Sequence, residues 1–309
     1  MAADGFLTRT ISRVRTFTDE PSSNAKYTDA KILDLVESSW ADVLEEINRN
    51  ASAPVRVRHD LAIDTATGLN ANTYILPPTI GRLFQIDKVD SNGNVEWTIV
   101  PRSPWNPAGP AVLLEGNCLT ISPDWGAGSY TLRLTYMPVG DVRLHEGTIA
   151  ASAITNDATA NTCAVMLASS PDTGSLDTRP NAYAGSVLRI LGDGGTGATN
   201  DYVQERVIRS YDVETRTATV SPALTYVPTG TEVTYEIAPL LANAFDIVVA
   251  LDVASMILGI EGDPKREKST ALQYARKIRT IRLNAAAYES IVGQHFQRDT
   301  ITNGMVFRW

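Results

Sequence analysis

The chain is poor in the residues that chemistry most often needs. Its 309 residues include two cysteines and three histidines. Cys118 and Cys163 lie in strand-like surroundings without CxxC spacing or a nearby histidine, which suits buried thiols in a reducing compartment; neither disulfide nor zinc is expected. His59, His145 and His295 fall in three separate segments with no HExxH spacing, so neither a zinc site nor a nucleophile–His pair is indicated. Ser169-Ser170 has no GxSxG setting, and Glu45-Glu46 reads as a solvated helix face rather than an acid/base couple. No catalytic, cofactor-binding or metal-binding residue is therefore expected, and the chain is not expected to be an enzyme. No leader of charged, apolar and small residues opens the chain, so export is not indicated and synthesis in a cytoplasm is expected.

Gly192-Asp193-Gly194-Gly195-Thr196-Gly197 fits GxGxxG and follows a strand-like run at Val187–Leu191. A dinucleotide site needs a helix next, whose N-terminus receives the pyrophosphate, whereas Asp201–Tyr211 reads as strand. A hairpin loop is the expectation, without NAD or ATP binding.

What is present is apolar content and uneven charge. With 43% hydrophobic residues the chain can bury a sizeable core. The net charge of -8 argues against wrapping nucleic acid. Seven of the 27 Lys and Arg residues lie in Lys265–Arg282, against Glu267 alone, leaving 20 basic and 34 acidic residues elsewhere. One basic helix thus rides on an acidic body, suited to pairing copies, to docking an acidic partner, or simply to meeting solvent.

Leu241–Ile260 is apolar almost all the way round: Leu241, Ala244, Val248, Leu251 and Leu258 form one stripe, and Phe245, Val249, Val253 and Met256 a second. Such a helix must be buried on every side. Two interior aspartates, Asp246 and Asp252, would each cost about 2.5–3.5 kcal/mol at a bilayer centre, which argues against a membrane span. Leu241, Phe245, Val248, Val249 and Met256 are expected to be covered in part by another copy of the chain, with a core helix of a monomer as the alternative.

At the start, Leu7, Ile11 and Val14 predict a helix over about 6–15; Thr28 then caps a second helix with the stripe Ile32, Val36, Trp40, Val43 and Ile47. After Asn50 the period changes to that of strands. Val55–Leu61, Thr73–Leu76, Leu83–Val89, Val95–Val100, Asn117–Ser122 and Tyr130–Tyr136 read as strands, with Pro101–Pro110 crossing the surface. A Thr, Ala, Gly and Asp-rich stretch follows, with strands at Cys163–Leu167, Ser186–Leu191, Val203–Tyr211, Thr217–Val220 and Glu232–Ile237, suiting a small antiparallel barrel or sandwich. Asp263-Pro264 then opens a last helix reaching about Tyr288 or Ile291. The expectation is an α+β fold: a discontinuous helical core of two N-terminal and two C-terminal helices (1–52 and 239–309), a β region (53–146) and a small β module (147–238).

The order of segments resembles the head-to-tail adaptor, or connector, proteins of short-tailed bacteriophages. The resemblance is carried by Ser12–Arg15 (SRVR) with Asp19-Glu20, Tyr27–Leu33 (YTDAKIL), Tyr74–Pro77 (YILP), Arg82–Val89 (RLFQIDKV), Leu119–Pro123 (LTISP), Thr131–Tyr136 (TLRLTY) and the helix Ala242–Leu258. Tyr183–Gly185, Ile190–Gly197, Ile208–Tyr211, Val220–Pro222 and Tyr235–Pro239 look like a small β module that recurs in phage tail proteins. The resemblance implies a virion structural protein, made in the host cytoplasm: a twelvefold homo-oligomeric ring beneath the portal protein, contacting a tail nozzle or tail fibre, with DNA only passing through. The alternative is a receptor- or carbohydrate-binding β module of a tail fibre, with exposed aromatics around Trp97, Trp105 and Trp125. Met305, Val306, Phe307 and Trp309, an apolar cluster after the polar run GQHFQRDTITN, are expected to dock on the portal.

Overall fold

Helices from both ends of the sequence close around one another, and every strand lies between them in the chain. A computed structural model describes residues 5–20, 26–50, 56–64, 73–90, 94–99, 112–116, 118–121, 129–138, 143–168, 176–193, 203–240 and 242–283. Helices α1 (Phe6–Thr18) and α2 (Asp29–Asn50) precede the strands, and α3 (Ala242–Glu261) and α4 (Pro264–Leu283) follow them. The result is an α+β fold with antiparallel sheets.

Each helix begins and ends for a local reason. Thr28 caps α2 through its Oγ1, which accepts from the Lys31 amide at 3.4 Å. Gly262, at φ 75°, turns the chain out of α3, a left-handed conformation that costs glycine least. Asp263 Oδ1 then accepts from the Arg266 amide at 3.2 Å to cap α4. α1 runs three residues past the expected Arg15, because Thr16 and Thr18 return their hydroxyls to the carbonyls of Ser12 and Val14 and the chain turns only at Asp19.

α3 forms the axis of the helical layer. Phe245, Val248, Val249, Val253 and Ile257 are buried against Phe6, Leu7 and Val14 of α1, Ile32, Val36, Trp40 and Val43 of α2, and Ile278 of α4. Trp40 sits between Phe6 and Phe245, each ring centroid 6.2 Å away. No described helix is long and apolar enough to cross a membrane.

The first β region is built from two sheets around one core. Strands β1 (Val57–Asp64), β3 (Ile80–Val89), β4 (Val95–Ile99) and β7 (Ser129–Pro138) pair in the order β1-β7-β3-β4. Strands β2 (Thr73–Ile75), β5 (Val112–Glu115) and β6 (Cys118–Ile121) pair as β2-β6-β5. Ile63, Ile86, Leu132 and Leu134 of the first sheet meet Leu119 and Ile121 of the second. The alternation read in β7 is realised, with Leu132, Leu134 and Tyr136 buried and Thr131, Arg133 and Thr135 half-buried.

The remaining strands make one seven-stranded sheet. They are β8 (His145–Ile149), β9 (Ile154–Asp157), β10 (Thr162–Met166), β11 (Val187–Asp193), β12 (Gln204–Asp212), β13 (Thr217–Ser221) and β14 (Val233–Ala238), in the order β8-β14-β11-β12-β13-β10-β9. Its two edges, β8 and β9, are consecutive in sequence and joined by a single 3-10 turn at Ala151–Ala153. So short a tether, spanning at most about 3.3–3.6 Å per residue, holds the edges near each other and fits the curl of a half-barrel. β8 begins at His145, so this sheet starts just before the expected boundary at 146/147.

The two β parts lock together through small and buried groups. Thr79 Oγ1 donates to the Ala184 carbonyl at 2.8 Å and lies 3.3 Å from the Tyr136 hydroxyl. Gly185, at φ 86°, leaves room for that hydroxyl: a Cβ there would stand 2.7 Å from it. His59 Nδ1 meets the Arg209 carbonyl at 2.8 Å.

Candidate functional site

The helical layer is joined to the seven-stranded sheet by a buried carboxylate. Nothing in Gly5 can cap α1, whose first amides would otherwise lack acceptors. Glu236 of β14 supplies them: fully buried, it accepts from the amides of Phe6 at 2.7 Å and Leu7 at 3.2 Å. The positive end of the helix dipole favours a carboxylate there. Arg189 of β11 neutralises Glu236 directly and donates its Nε to Glu205 at 2.7 Å. A Cβ on residue 5 would lie 2.4 Å from Glu236 Oε2, so glycine is what admits the carboxylate. Sequence reading missed this junction, because Phe6 and Glu236 are 230 positions apart and no local pattern links them.

The aspartates of α3 have separate partners. Asp246 pairs with Arg9 at 3.4 Å and Arg13 at 2.5 Å. Asp252 accepts from Ser39 Oγ at 2.7 Å, and burial pushes its carboxyl above the usual carboxylate range. Glu37 of α2 accepts from the Leu144 amide at 2.9 Å and pairs with Arg143 at 3.0 Å; burial raises its carboxyl as well. Each is a tie between helices, or between helix and sheet.

Arg15 and Glu20, from the SRVR and Asp19-Glu20 stretch, do similar work. Arg15 pairs with Asp29 and with Glu20 and donates to the Tyr27 carbonyl at 3.1 Å, while Glu20 accepts from the Tyr27 amide at 2.8 Å. They hold the passage from α1 to α2. An open depression of about 660 Å³ runs beside them, lined by Ile11, Arg15, Glu20, Asp29 and Glu146 among others.

The two described histidines stand in separate cores. His145 Nε2 lies 2.9 Å from the Ala168 carbonyl and 3.0 Å from the Tyr235 hydroxyl, and burial pulls its pKa down. Burial likewise lowers His59 and pushes the Tyr136 and Tyr183 hydroxyls up to about 12. These groups are neutral hydrogen-bonding members of a core. Among the described residues no group of three or more His, Cys, Asp or Glu could hold a metal ion. β11 and β12 pair antiparallel, so strand follows Gly192-Asp193 where a dinucleotide fold would need helix; Gly194–Gly197 lie outside the described residues.

The outward surface separates into charged faces. Along α2, Lys31, Asp34, Ser38, Asp42 and Glu45 are exposed; along α4, Lys265, Lys268, Leu272, Arg276 and Arg279 are. Comparison with family models, curated proteins and solved structures finds no match.

The expected interface residues on α3 have a different place. Phe245, Val248 and Val249 are 0–2% exposed within a single chain, which leaves them no surface to offer a second copy. The helix is buried on every side as expected, but α1, α2 and α4 of the same chain together supply the cover. That revises the expectation of a subunit interface at those three positions. Met256 is half-buried, and Leu241 lies outside the described residues, as do Met305, Val306, Phe307 and Trp309. Of the aromatics expected around a sugar site, Trp97 on edge strand β4 is 50% exposed, with the Lys88 ammonium 5.9 Å from its ring and 5.1 Å from that of Tyr130. Trp105 and Trp125 lie outside the described residues.

Proposed function

We propose that this chain is a virion structural protein of a tailed bacteriophage, one copy of a homo-oligomeric ring that joins the portal vertex of the head to the tail and lets DNA pass through. The observation that carries this reading is the order of its segments: two helices, one unbroken β excursion, and two helices that return to the first pair. That order, with the short stretches quoted above, is what resembles head-to-tail adaptors. A helical layer anchored by α3 offers a firm base on the portal side, and the β parts extend toward a tail nozzle or fibre. The acidic excess outside α4 suits a channel through which DNA passes without being gripped.

In this reading Met305, Val306, Phe307 and Trp309 dock on the portal. Burying Phe307 and Trp309 contributes about 1.5–3 kcal/mol each before ordering costs, and a ring repeats the contact at each subunit. Deleting Met305–Trp309 is expected to leave a folded subunit that no longer joins portal-bearing heads, as scored by sedimentation of heads with labelled protein. Wild-type occupancy of the truncated protein on those heads would overturn the docking role.

A second reading, a carbohydrate-binding tail-fibre module, is favoured by the Trp97, Lys88 and Tyr130 surface alone. It requires a trimer and saturable sugar binding lost on Trp97→Ala.

A further inference from the structure

We propose that the outward face of α4 in one copy docks on the outward face of α2 in the next, a head-to-tail contact held by opposite charge. The inference deepens the ring reading by naming the surfaces that join copies.

The two faces match in charge and in spacing. On α4 the exposed residues Lys265, Lys268, Leu272, Arg276 and Arg279 follow one another at intervals of three, four, four and three; on α2, Lys31, Asp34, Ser38, Asp42 and Glu45 follow at the same intervals. Alternating steps of three and four keep side chains on one seam between two helices. Each seam is about 21 Å long at 1.5 Å per residue. Laid together in either direction, the seams set three cations opposite three carboxylates, with Leu272, 52% exposed, over Ser38 at the centre. One like-charged pair falls at an end of the seam, where solvent screens it.

The charges that flank the centre of each face are unpaired within the chain. Among the described residues Lys265, Lys268, Arg276, Lys277 and Arg279 have no carboxylate in ion-pair reach, and Asp34 and Asp42 have no cation. Most other basic side chains along the helical layer, Arg9, Arg13, Arg15 and Lys26 among them, are paired. α2 and α4 both pack on α3 and also touch each other, and each keeps its exposed seam outside that shared core. A contact between unlike surfaces leaves one free face at each end, which propagates until it closes into a ring. With one apolar residue at its centre the contact is weak between two free copies and gains from repetition around a closed ring.

The test uses two charge-reversed full-length variants, Lys268→Glu with Arg276→Glu on α4, and Asp34→Lys with Asp42→Lys on α2. Sedimentation velocity at low ionic strength and high protein concentration reads association. Wild type is expected to self-associate, about tenfold more weakly once salt screens the pairs. Each variant alone loses self-association by about 100-fold or more, since like charges then face each other. A mixture of the two associates in alternation, because the unchanged pair of faces and the reversed pair of faces are both complementary, and for the same reason the variant carrying all four changes self-associates again. All substitutions are on exposed positions, and circular dichroism confirms that each variant is folded. Absence of pairing in the mixture overturns the contact. If both variants still form rings on the portal, the ring reading stands and this contact falls; if the mixture pairs while wild type builds no ring on the portal, the contact stands and the ring reading falls.

Discussion

Replacing Glu236 with alanine is expected to cost the subunit about 3–5 kcal/mol, the range for removing one partner of a buried ion pair. Three groups lose an acceptor together: the amides of Phe6 and Leu7 and the Arg189 guanidinium, itself 5% exposed, which is left with Glu205 alone. Each unsatisfied buried donor carries a desolvation penalty of about 1–3 kcal/mol, so the loss falls on α1 and on the sheet at once. Glu236→Gln keeps an acceptor for the amides and removes the charge, and is expected to cost less. Combining Glu236→Gln with Arg189→Met is expected to be milder than the sum of the two by at least about 1 kcal/mol, the signature of a coupled pair. Urea unfolding of the four proteins measures these differences. A Glu236→Ala cost under about 1 kcal/mol would show that the carboxylate is not what holds α1 to β14. Gly5→Ala is expected to reproduce part of the loss, since its Cβ displaces the carboxylate.

Val248→Asp distinguishes a core helix from an interface helix. Val248 is 2% exposed inside a single chain, in the same cluster as Phe245, Trp40 and Val36. An unpaired carboxylate there costs several kcal/mol or takes up a proton to escape the charge. Against a typical total stability of about 5–15 kcal/mol, that is enough to populate the unfolded chain heavily. The expected result is loss of the folded subunit at every protein concentration, seen as lost cooperativity in thermal unfolding. Had α3 been a seam between copies, the variant would instead remain a folded monomer that fails only to assemble. Met256→Asp is the internal comparison: half-buried at the edge of the same helix, it is expected to be tolerated at a cost of about 1 kcal/mol.

α3 was legible because its apolar residues leave no polar face, and burial on every side follows from that alone. Whose side chains do the covering was not legible, since the cover comes from α1, α2 and α4, which local periodicity cannot place in space. The strands with clear alternation, β7 above all, were read correctly. Three short strands were not: β5 (VLLE) has no alternation, β8 (HEGTI) has one large apolar residue, and β9 (ITND) is held mainly as the edge partner of β10. Of the groups that join the parts, Thr28 and Asp263 were visible as local caps. Glu236 with Gly5, Thr79 with Ala184, and His59 with Arg209 join residues more than a hundred positions apart. The basic run of α4 was visible in composition, but its match to α2 appears only once exposure shows which of its residues face outward.

The proposed ring requires that this chain assemble on a portal. Native mass measurement of the purified protein, alone and mixed with the portal protein of its own phage, tests it most directly. The expected result is a complex that carries one full ring of this chain on each portal ring, with twelve copies as the resemblance implies. A stable trimer that ignores the portal would contradict it and would favour the tail-fibre reading instead.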